Sequence, residues 1–428
     1  MNLGLLLGNI LVCTLVAGRA DELPITPQES SRGASQGGSY RTGLVQIADL
    51  VRRHNPRLRA ARYLLAEANG RFKQSGRWQN PKLITDYTTD PYSRELQGSV
   101  GFNQAFPLAG RLRWEKSVSA AEVAAVEVEI RDVERRLIAE AKTLAVQILT
   151  IEAQKALRGR QLRLAEDLSV FIRKLVGRGE SSDLDTGLAK LTETQLELEV
   201  HHLDHEAKRL KGKLKTLLGM EPGIDLQLHD GLPQPKIERD QPVQLANRPD
   251  YQAAVQRALA ARREIGLAKA GRWQDVNVGV FARRIREVDQ PIGLENEERI
   301  GVQVSLPLPL WQRNRGLIAE KTAAASRWEQ TLVAMENEIR NEVIASREVM
   351  NTLAVHAEEV RDELLPVAKK HVERVTVAYK DGLVDLQSVL EARSQAVELE
   401  SKYLIAIEDY HLARIRFESA QGYSKGKE

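Results

Sequence analysis

The 428-residue chain lacks sequence features that are typical of several classes of protein. Its single cysteine, Cys13, excludes a disulfide within the chain. Aromatic residues make up 5%, and no stretch beyond the first twenty residues approaches the ~18 uncharged apolar residues of a transmembrane helix. Lys plus Arg number 62 and Asp plus Glu 59. This balance argues against a nucleic-acid-binding protein, in which basic residues are concentrated.

Motifs that indicate a catalytic or ligand-binding site are also rare. The sequence contains no Ser-His-Asp set, glycine-rich phosphate loop or cysteine cluster. His201 and His205 lie four residues apart on one face of a helical pattern, a spacing that can bind zinc. Because zinc sites use three or four ligands and no third is evident, a solvated or packed pair is the favoured interpretation. We therefore expect neither an enzyme nor a resident metal or cofactor.

The N-terminal segment differs in composition from the rest. Residues 3–17 are apolar, contain no acidic residue and are followed by small residues. This pattern predicts a secretory signal peptide over 1–20, with a buried apolar helix as the alternative. Cys13 lies inside it after Val12, whereas a lipidation site has a small residue there. Residues 21–41, rich in Ser, Gly and Pro, are expected to form a flexible arm.

The second half of the chain repeats the first. "GRWQ" occurs at Gly76 and again at Gly271, each time where a helical pattern ends and a strand-like one begins. "VGFNQAFPL" from Val100 corresponds to "IGVQVSLPL" from Ile300. Because separate blocks recur in the same order, we predict two tandem repeats. The expected limits are 42–220 for the first repeat, 221–241 for a Pro-rich connector, 242–422 for the second repeat and 423–428 for a tail.

Each repeat carries long helical patterns. Apolar residues recur at spacings of three and four over about 111–174 and again over 332–367, with Glu, Lys and Arg between them. This is coiled-coil patterning. A helix of about sixty residues is roughly 90 Å long at ~1.5 Å per residue, which no ordinary globular domain needs. Pro366 interrupts the second pattern and has no counterpart in the first, so we expect a local bend there.

Each repeat also carries two short alternating segments. They predict strands at about 82–90, 98–107, 274–284 and 298–307. In the last strand, alternation would turn one set of residues towards lipid and the other towards a wet lumen. The lipid-facing set is Ile300, Val302, Val304 and Leu306, and the lumen-facing set is Gly301, Gln303 and Ser305. A soluble antiparallel hairpin has the same alternation and is the alternative.

The number of strands bears on assembly. Four strands cannot close a barrel and an open edge cannot lie in lipid, so strands in a membrane would require several chains to share one barrel. Three chains would supply twelve strands, within the range of outer-membrane barrels. Four tryptophans flank the strand pairs and are expected to form an interfacial girdle, with packing at helix ends as the alternative. They are Trp78, Trp114, Trp273 and Trp311.

Several blocks resemble the TolC-like outer-membrane efflux proteins. They are Asn55-Pro56, residues 76–81, "FPLAGRLRWEKSVSAAE" from Phe106 and "LPLPLWQRNRGLIAE" from Leu306. The last block is most similar to the outer-membrane components of heavy-metal cation efflux systems, which implies divalent metal cations among the cargo. The resemblance extends over about 42–422.

The resemblance implies a mainly α fold with a transmembrane β-barrel portion. Three copies would form a twelve-stranded barrel in the outer membrane, continued by a periplasmic α-helical barrel. The partners implied are a periplasmic adaptor protein, an inner-membrane efflux pump and outer-membrane lipid, with no nucleic acid. The expected function is that of a passive export channel. A periplasmic coiled-coil adaptor or structural spacer is the alternative, but an adaptor would not alternate two helical hairpins with two strand pairs.

Glycine turns at Gly179 and Gly382 are predicted to join the long helices at the end farthest from the strands. The family meets its adaptor at that end. Gly382, Leu383 and Val384 form a small apolar patch on a polar tip, which suits docking.

Three aspartates follow these turns. They are Asp183, Asp185 and Asp385, and the Asp-Leu pairs that begin at Asp183 and Asp385 are expected to correspond in the two repeats. One interpretation is that they cap the returning helices, since Asp is a favoured N-cap. The other is that they face a narrowed lumen, where three copies would form an acidic ring that favours cations and sets the closed state of a gate.

Overall fold

A computed structural model describes residues 39–90, 95–178, 182–229, 231–289, 293–381 and 383–422. The helices are α1 (Leu44–His54), α2 (Pro56–Gln74), α3 (Arg111–Val176), α4 (Asp183–Leu217), α5 (Pro249–Ala270), α6 (Arg315–Glu359), α7 (Leu365–Lys380) and α8 (Leu386–Ala420). The strands are β1 (Ser39–Thr42), β2 (Lys82–Thr89), β3 (Glu95–Phe106), β4 (Asp225–Leu228), β5 (Val276–Asp289) and β6 (Gly293–Ser305). Within these ranges, none of the helices combines the length and hydrophobicity needed to cross a membrane. The signal peptide expected over 1–20 and the tail expected over 423–428 lie outside the described residues.

The order of elements occurs twice. A helix, a strand hairpin, an outgoing helix and a returning helix follow one another as α2, β2–β3, α3 and α4, and again as α5, β5–β6, α6–α7 and α8. The returning helices α4 and α8 both have 35 residues and begin 203 positions apart. The prediction of a mainly α fold built from two tandem repeats, each a strand hairpin with long helices, is confirmed.

The core of each repeat lies where its helices bundle together. In the first repeat, α1 and α4 pack on α3, whose 66 residues make a helix of roughly 100 Å. The side chains fully buried there include Ile47, Val51, Leu58, Ile148 and Leu214. A second cluster joins α6 to α8 through Val343, Met350 and Tyr410. Burial is thus distributed along the helices, as the three-and-four spacing requires.

The outgoing helix of the second repeat is interrupted where Pro366 predicts an irregularity. A single π turn, Val360–Leu364, separates α6 from α7, and Pro366 lies in the first turn of α7. Proline has no amide hydrogen to donate, and its ring clashes with the carbonyl four residues earlier. A wider turn accommodates that clash, and a π turn lies where the sequence predicts a bend.

Residues 39–41, expected to belong to a flexible arm, instead lie in a strand, and the rest of that expected arm, 21–38, lies outside the described residues. Ser39–Thr42 forms β1, which pairs in parallel with β4 inside the segment expected as a connector. Thr42 is fully buried. The short sequence "SYRT" carries no apolar alternation, and its strand is stabilised by backbone hydrogen bonds to a partner 186 residues away. For that reason the pattern of the sequence did not predict it.

The second hairpin is longer than predicted. β5 continues beyond the expected end at 284 to Asp289, and β6 begins at Gly293 rather than near 298. In these additional rungs Ile285 pairs with Glu297 and Arg286 with Asn296. Charged residues occupy both faces there, so apolar alternation stops although the hydrogen-bonded ladder continues.

Candidate functional site

The two hairpins lie side by side in one antiparallel sheet of order β2-β3-β5-β6. β3 of the first repeat pairs with β5 of the second over twelve rungs, from Glu95–Glu287 to Phe106–Val276. Among the described residues, the outer edges of β2 and β6 have no partner strand. The sheet is therefore a four-stranded segment with one open edge on each side.

One face of the sheet, here called the apolar face, carries exposed hydrophobic side chains. Its rungs are Phe106–Val276, Gln104–Val278–Val304, Leu83–Phe102–Val280–Val302 and Thr85–Val100–Ala282–Ile300. Ile300 is 90% exposed, Val302 69% and Val304 63%. The three predicted lipid-facing residues of β6 thus share this face, and Leu306 follows directly after the strand. An apolar surface of this extent indicates contact with lipid or protein.

The opposite face, here called the polar face, carries the residues predicted to face a lumen. Gly301, Gln303 and Ser305 lie on it. Its rungs are Asn277–Ser305, Lys82–Asn103–Gly279–Gln303, Ile84–Gly101–Phe281–Gly301 and Asp86–Ser99–Arg283–Arg299. The period-two pattern therefore places most apolar side chains on one face and most polar ones on the other, and Ile84 and Phe281 are the apolar exceptions on the polar face.

Phe281 is a large side chain on the polar face that the sequence analysis missed. Its ring lies on Gly301, where a Cβ would come within 2.5 Å of Phe281 Cζ. Gly101 flanks it on the other side, and the guanidinium of Arg283 lies 5.4 Å from the ring centroid. Gly301 makes room for the ring, and Gly101 leaves room beside the Cβ of Phe281. The sequence alone does not show that Gly101 and Gly301 lie beside Phe281, because only the strand register brings them together.

The arginines Arg283 and Arg299 on the polar face are held by neighbouring polar side chains. Arg299 donates to Glu297 from Nε and Nη2 at 2.7 and 2.6 Å. With the Gln97 amide oriented to accept, Arg283 donates to its oxygen at 3.0 and 3.2 Å. The face is hydrophilic, and its guanidinium groups are held by neighbouring side chains.

The four tryptophans have different surroundings. Trp311 is 92% exposed, and Trp78 stacks edge-on against Phe106 with ring centroids 5.2 Å apart. Trp114 instead lies on Gly266 of α5, where a Cβ would come within 2.6 Å of its Cε3. Packing between helices therefore describes Trp114. Trp273 lines a polar cavity of about 560 Å³ at the junction of sheet and helices.

At the far ends of the long helices, the described residues include part of the predicted docking patch. Gly179 and Gly382 lie outside them. Leu383 is 76% exposed, and its amide donates to Ala378 O at 2.9 Å, which closes the end of α7. Val384 is partly buried.

The three aspartates near the turns have different roles. Asp185 and Ser182 form a reciprocal capping box at the start of α4, with backbone-to-side-chain distances of 3.1 and 3.2 Å. Asp385 caps α8 by accepting from the amide and hydroxyl of Ser388, and these hydrogen bonds lower the pKa of Asp385. Asp183 is exposed and makes no hydrogen bond or ion pair within the described structure.

The caps also correct the predicted correspondence of the Asp-Leu pairs. Ser182 precedes α4 and Asp385 precedes α8, so these two N-caps are equivalent. Asp183 therefore corresponds to Leu386 rather than to Asp385. Both loops end in an Asp-Leu pair, and sequence similarity alone favoured matching those pairs one residue out of register.

The other sequence-predicted pair is His201 and His205 on α4. Both histidines are exposed, and His201 Nε2 lies 4.0 Å from Glu197. Within the described ranges, no group of three or more His, Cys, Asp or Glu side chains is arranged to hold a metal ion.

Comparison with known proteins identifies the family. The model of the outer membrane efflux protein family matches residues 47–220 and 243–422. The chain therefore belongs to this family, which consists of channels rather than enzymes. It is an outer-membrane protein whose long helices form a large periplasmic portion. No curated protein matches the sequence significantly.

Solved structures share the fold at low sequence identity. CusC is 16% identical, with 90% of this chain and 93% of that chain covered and a TM-score of 0.73. VceC from Vibrio cholerae is 18% identical, with coverages of 89% and 96% and a TM-score of 0.72. The open state of MtrE from Neisseria gonorrhoeae is 17% identical, with coverages of 89% and 88% and a TM-score of 0.72.

Proposed function

We propose that the protein is the outer-membrane channel of a tripartite efflux system. Three copies join their sheets into a twelve-stranded barrel, and their helices form a periplasmic duct. The duct receives cargo from an adaptor and an inner-membrane pump and conducts it passively to the exterior. The observation that carries this proposal is the four-stranded sheet with one apolar face, one polar face and two open edges.

The open edges support assembly of several copies. Unpaired backbone groups on β2 and β6 cannot lie in hydrocarbon, where each unsatisfied group costs several kcal/mol. Pairing β6 of one copy with β2 of the next satisfies both edges. Three copies give twelve strands, an even number within the range of outer-membrane barrels.

The two faces support a channel over a periplasmic spacer or adaptor. In a barrel closed this way the apolar face meets lipid and the polar face lines water, as in other large barrels. A soluble spacer would leave Ile300, Val302 and Val304 in water without compensation.

The helical tips support a gate and a docking surface. Asp183 takes no part in capping, so three copies of it can form the acidic ring at the narrow end of the duct. Exposed Leu383, with Val384 and the turns that the sequence predicts at Gly179 and Gly382, provides the adaptor contact. Asp185 and Asp385 act mainly as caps in this proposal.

The resemblance of residues 307–316 to the outer-membrane components of heavy-metal efflux systems favours divalent metal cations as the cargo. An acidic ring at Asp183 would attract such cations. The test is a deletion strain challenged with metal salts and with drugs. We expect the deletion strain to be sensitive to divalent metals, and we expect the wild-type gene to restore its resistance. Sensitivity to drugs alone would contradict the metal assignment and leave the channel intact.

The test of the channel itself compares the two faces of β6. Val302→Arg and Val304→Arg should impair insertion, since an Arg on the lipid face near the bilayer midplane costs about 2–4 kcal/mol. Gln303→Arg, one residue away on the polar face, is the matched control and should insert normally. The measurement is the amount of protein in the outer-membrane fraction that runs as a trimer in mild detergent. Equal amounts for all three variants, or a soluble monomer for the wild type, would contradict the proposal.

A further inference from the structure

The apolar face changes character towards the hairpin turns. Two positions beyond Ala282, β5 places Arg284 on this face, and Arg286 follows two positions later. From Val276 to Arg284 the strand extends about 26 Å, which is about 20 Å along the membrane normal at a tilt of ~40°. An apolar band is about 25 Å tall. Arg284 and Arg286 therefore lie at the limit of the hydrocarbon on the side away from the helices.

A notch lies beside these arginines. On the same face, Gly98 of β3 separates Tyr87 of β2 from Arg284 of β5. A Cβ at Gly98 would meet nothing within 4 Å, so open space lies above the backbone between the phenol and the guanidinium. Tyr87 is 70% exposed, and the Arg284 side chain 68%.

The arginines at the notch are poorly compensated. Arg284 approaches its cross-strand neighbour Glu298 only to 3.9 Å. The guanidinium of Arg286 makes no hydrogen bond or ion pair within the described residues. On the polar face, by contrast, Arg299 is bound by Glu297 at 2.6 Å. The two guanidinium groups where the apolar rungs end are thus one weakly paired group, Arg284, and one without a partner in the described residues, Arg286.

We propose that Tyr87, Arg284 and Arg286 bind the phosphate of a phosphorylated lipid in the outer leaflet, seated over Gly98. This inference rests on the proposed function, which turns the apolar face towards lipid. Guanidinium groups bind phosphate oxygens through paired, charge-assisted hydrogen bonds, and the Tyr87 hydroxyl adds a donor. The acyl chains continue along Val100 and Ala282. Free phosphate would make no use of these apolar rungs, which is why the occupant is a lipid.

The experiment measures binding of bisphosphorylated lipid A to the full-length protein in detergent, counted by native mass spectrometry. Dephosphorylated lipid A and inorganic phosphate are the comparison ligands. The double variant Arg284→Gln/Arg286→Gln should lose at least about tenfold in affinity, as expected when hydrogen bonds to a charged group are removed. Tyr87→Phe should lose less, and dephosphorylated lipid A should bind the wild type as weakly as bisphosphorylated lipid A binds the double variant.

Arg283→Gln is the matched control, because Arg283 is adjacent in the strand and lies on the polar face. Its affinity for lipid A should equal that of the wild type. An equal loss in Arg283→Gln would contradict the assignment of the faces and with it the proposed function. No loss in the double variant would overturn the lipid site alone. Displacement by inorganic phosphate at concentrations similar to the lipid would overturn a lipid as the occupant.

Discussion

The two repeats close their helical bundles with the same backbone geometry and different side chains. Before the proline that begins α2, Asn55 donates from Nδ2 to Leu217 O, in the last turn of α4, at 2.7 Å. Before the proline that begins α5, Arg248 donates from Nη1 to Ala420 O, in the last turn of α8, also at 2.7 Å. We call these the first and second junctions.

A glycine completes each junction. Gly219 has φ +64° and Gly422 has φ +82°, and a Cβ on either would overlap a backbone carbonyl, that of His54 or of Asn247. The helix end and the helix start therefore meet at the same close distance in both repeats. This geometry does not depend on whether an amide or a guanidinium makes the contact.

The two junctions differ in whether the buried side chain carries a charge that must be compensated. Asn55 is neutral, and it also accepts from Leu58 N at 2.9 Å, which caps α2. Arg248 is charged and buried, and it binds Asp250 through two hydrogen bonds and Glu342 of α6 through another at 2.8 Å. A buried charge is tolerated only when it is paired, so the second junction carries its own carboxylates.

The second junction also reaches into the first repeat. Arg135 of α3 donates to Ser419 O and Oγ of α8, both at 2.7 Å, and binds Asp132. Its Nη2 lies 3.7 Å from Asp250. The charged network thus joins helices of both repeats, whereas the contacts of Asn55 stay within its own repeat. The arginine of the second junction thus belongs to a network that attaches the two repeats to each other, whereas the amide of the first junction caps a helix.

The largest effect is expected from Arg248→Met. The variant leaves Asp250 and Glu342 without their cation, and it removes the donor to Ala420 O. Loss of one partner of a buried ion pair costs about 3–5 kcal/mol, and partial exposure of Asp250 places this case near 3 kcal/mol. Urea unfolding of the detergent-solubilised protein, followed by circular dichroism, measures it. A loss no greater than that of Asn55→Ala would show that the charged network adds nothing.

Gly219→Ala and Gly422→Ala test whether the junctions share a geometry. Each places a Cβ against a carbonyl and requires a left-handed backbone, so we expect a loss of about 2 kcal/mol in each case. Gly212→Ala, at a helical glycine of α4 whose Cβ would meet nothing within 4 Å, is the control and should not destabilise the protein. Unequal losses in the two junction variants would refute their equivalence.

Asn55→Ala should be milder than Arg248→Met. It leaves Leu217 O and Leu58 N without a partner but no charge, and loss of an N-cap costs about 1–2 kcal/mol. Asn55→Asp keeps the acceptor for Leu58 N while losing the donor to Leu217 O. It should fall between wild type and Asn55→Ala if capping dominates, and below Asn55→Ala if burial of the charge dominates.

Acid should weaken the second junction selectively. Burial by itself would raise the pKa of Asp250, but hydrogen bonds from Arg248 outweigh that effect and lower it below 3.8. A carboxylate whose pKa is lowered in the folded state stabilises the protein at pH values above its unfolded-state pKa. This stabilisation is lost as the pH falls through the folded-state pKa. Arg248→Met should therefore lose less stability than wild type between pH 5 and pH 3. Parallel losses would show that Asp250 does not depend on Arg248.

The sequence predicted the parts of this fold that depend on local pattern. The alternation in "RIGVQVSLPL" assigned the two faces of β6, and Pro366 marked the irregular turn. Contacts that join distant segments could not be predicted in this way. The junction at Arg248, with a carbonyl 172 residues away, leaves no periodic signal because it depends on one side chain. Phe281 was missed for the same reason, since the register that places it on Gly301 follows from the whole sheet.

The smallest effect concerns Glu408, on α8 of the second repeat. It occupies the position that exposed His205 has in α4, 203 residues earlier. Burial, with a smaller contribution from the nearby charge of Asp409, raises the pKa of Glu408 to about 7. A raised folded-state pKa means that folding favours the protonated acid, so stability falls as pH rises from 4.5 towards 7. Glu408→Gln should abolish that fall and leave a higher Tm than wild type at pH 8, with equal values near pH 4. Asp409→Asn, which removes the neighbouring charge, should shift the fall to a lower pH. Superimposable Tm profiles for wild type and Glu408→Gln would mean that water reaches this carboxylate as freely as it reaches His205 in the first repeat.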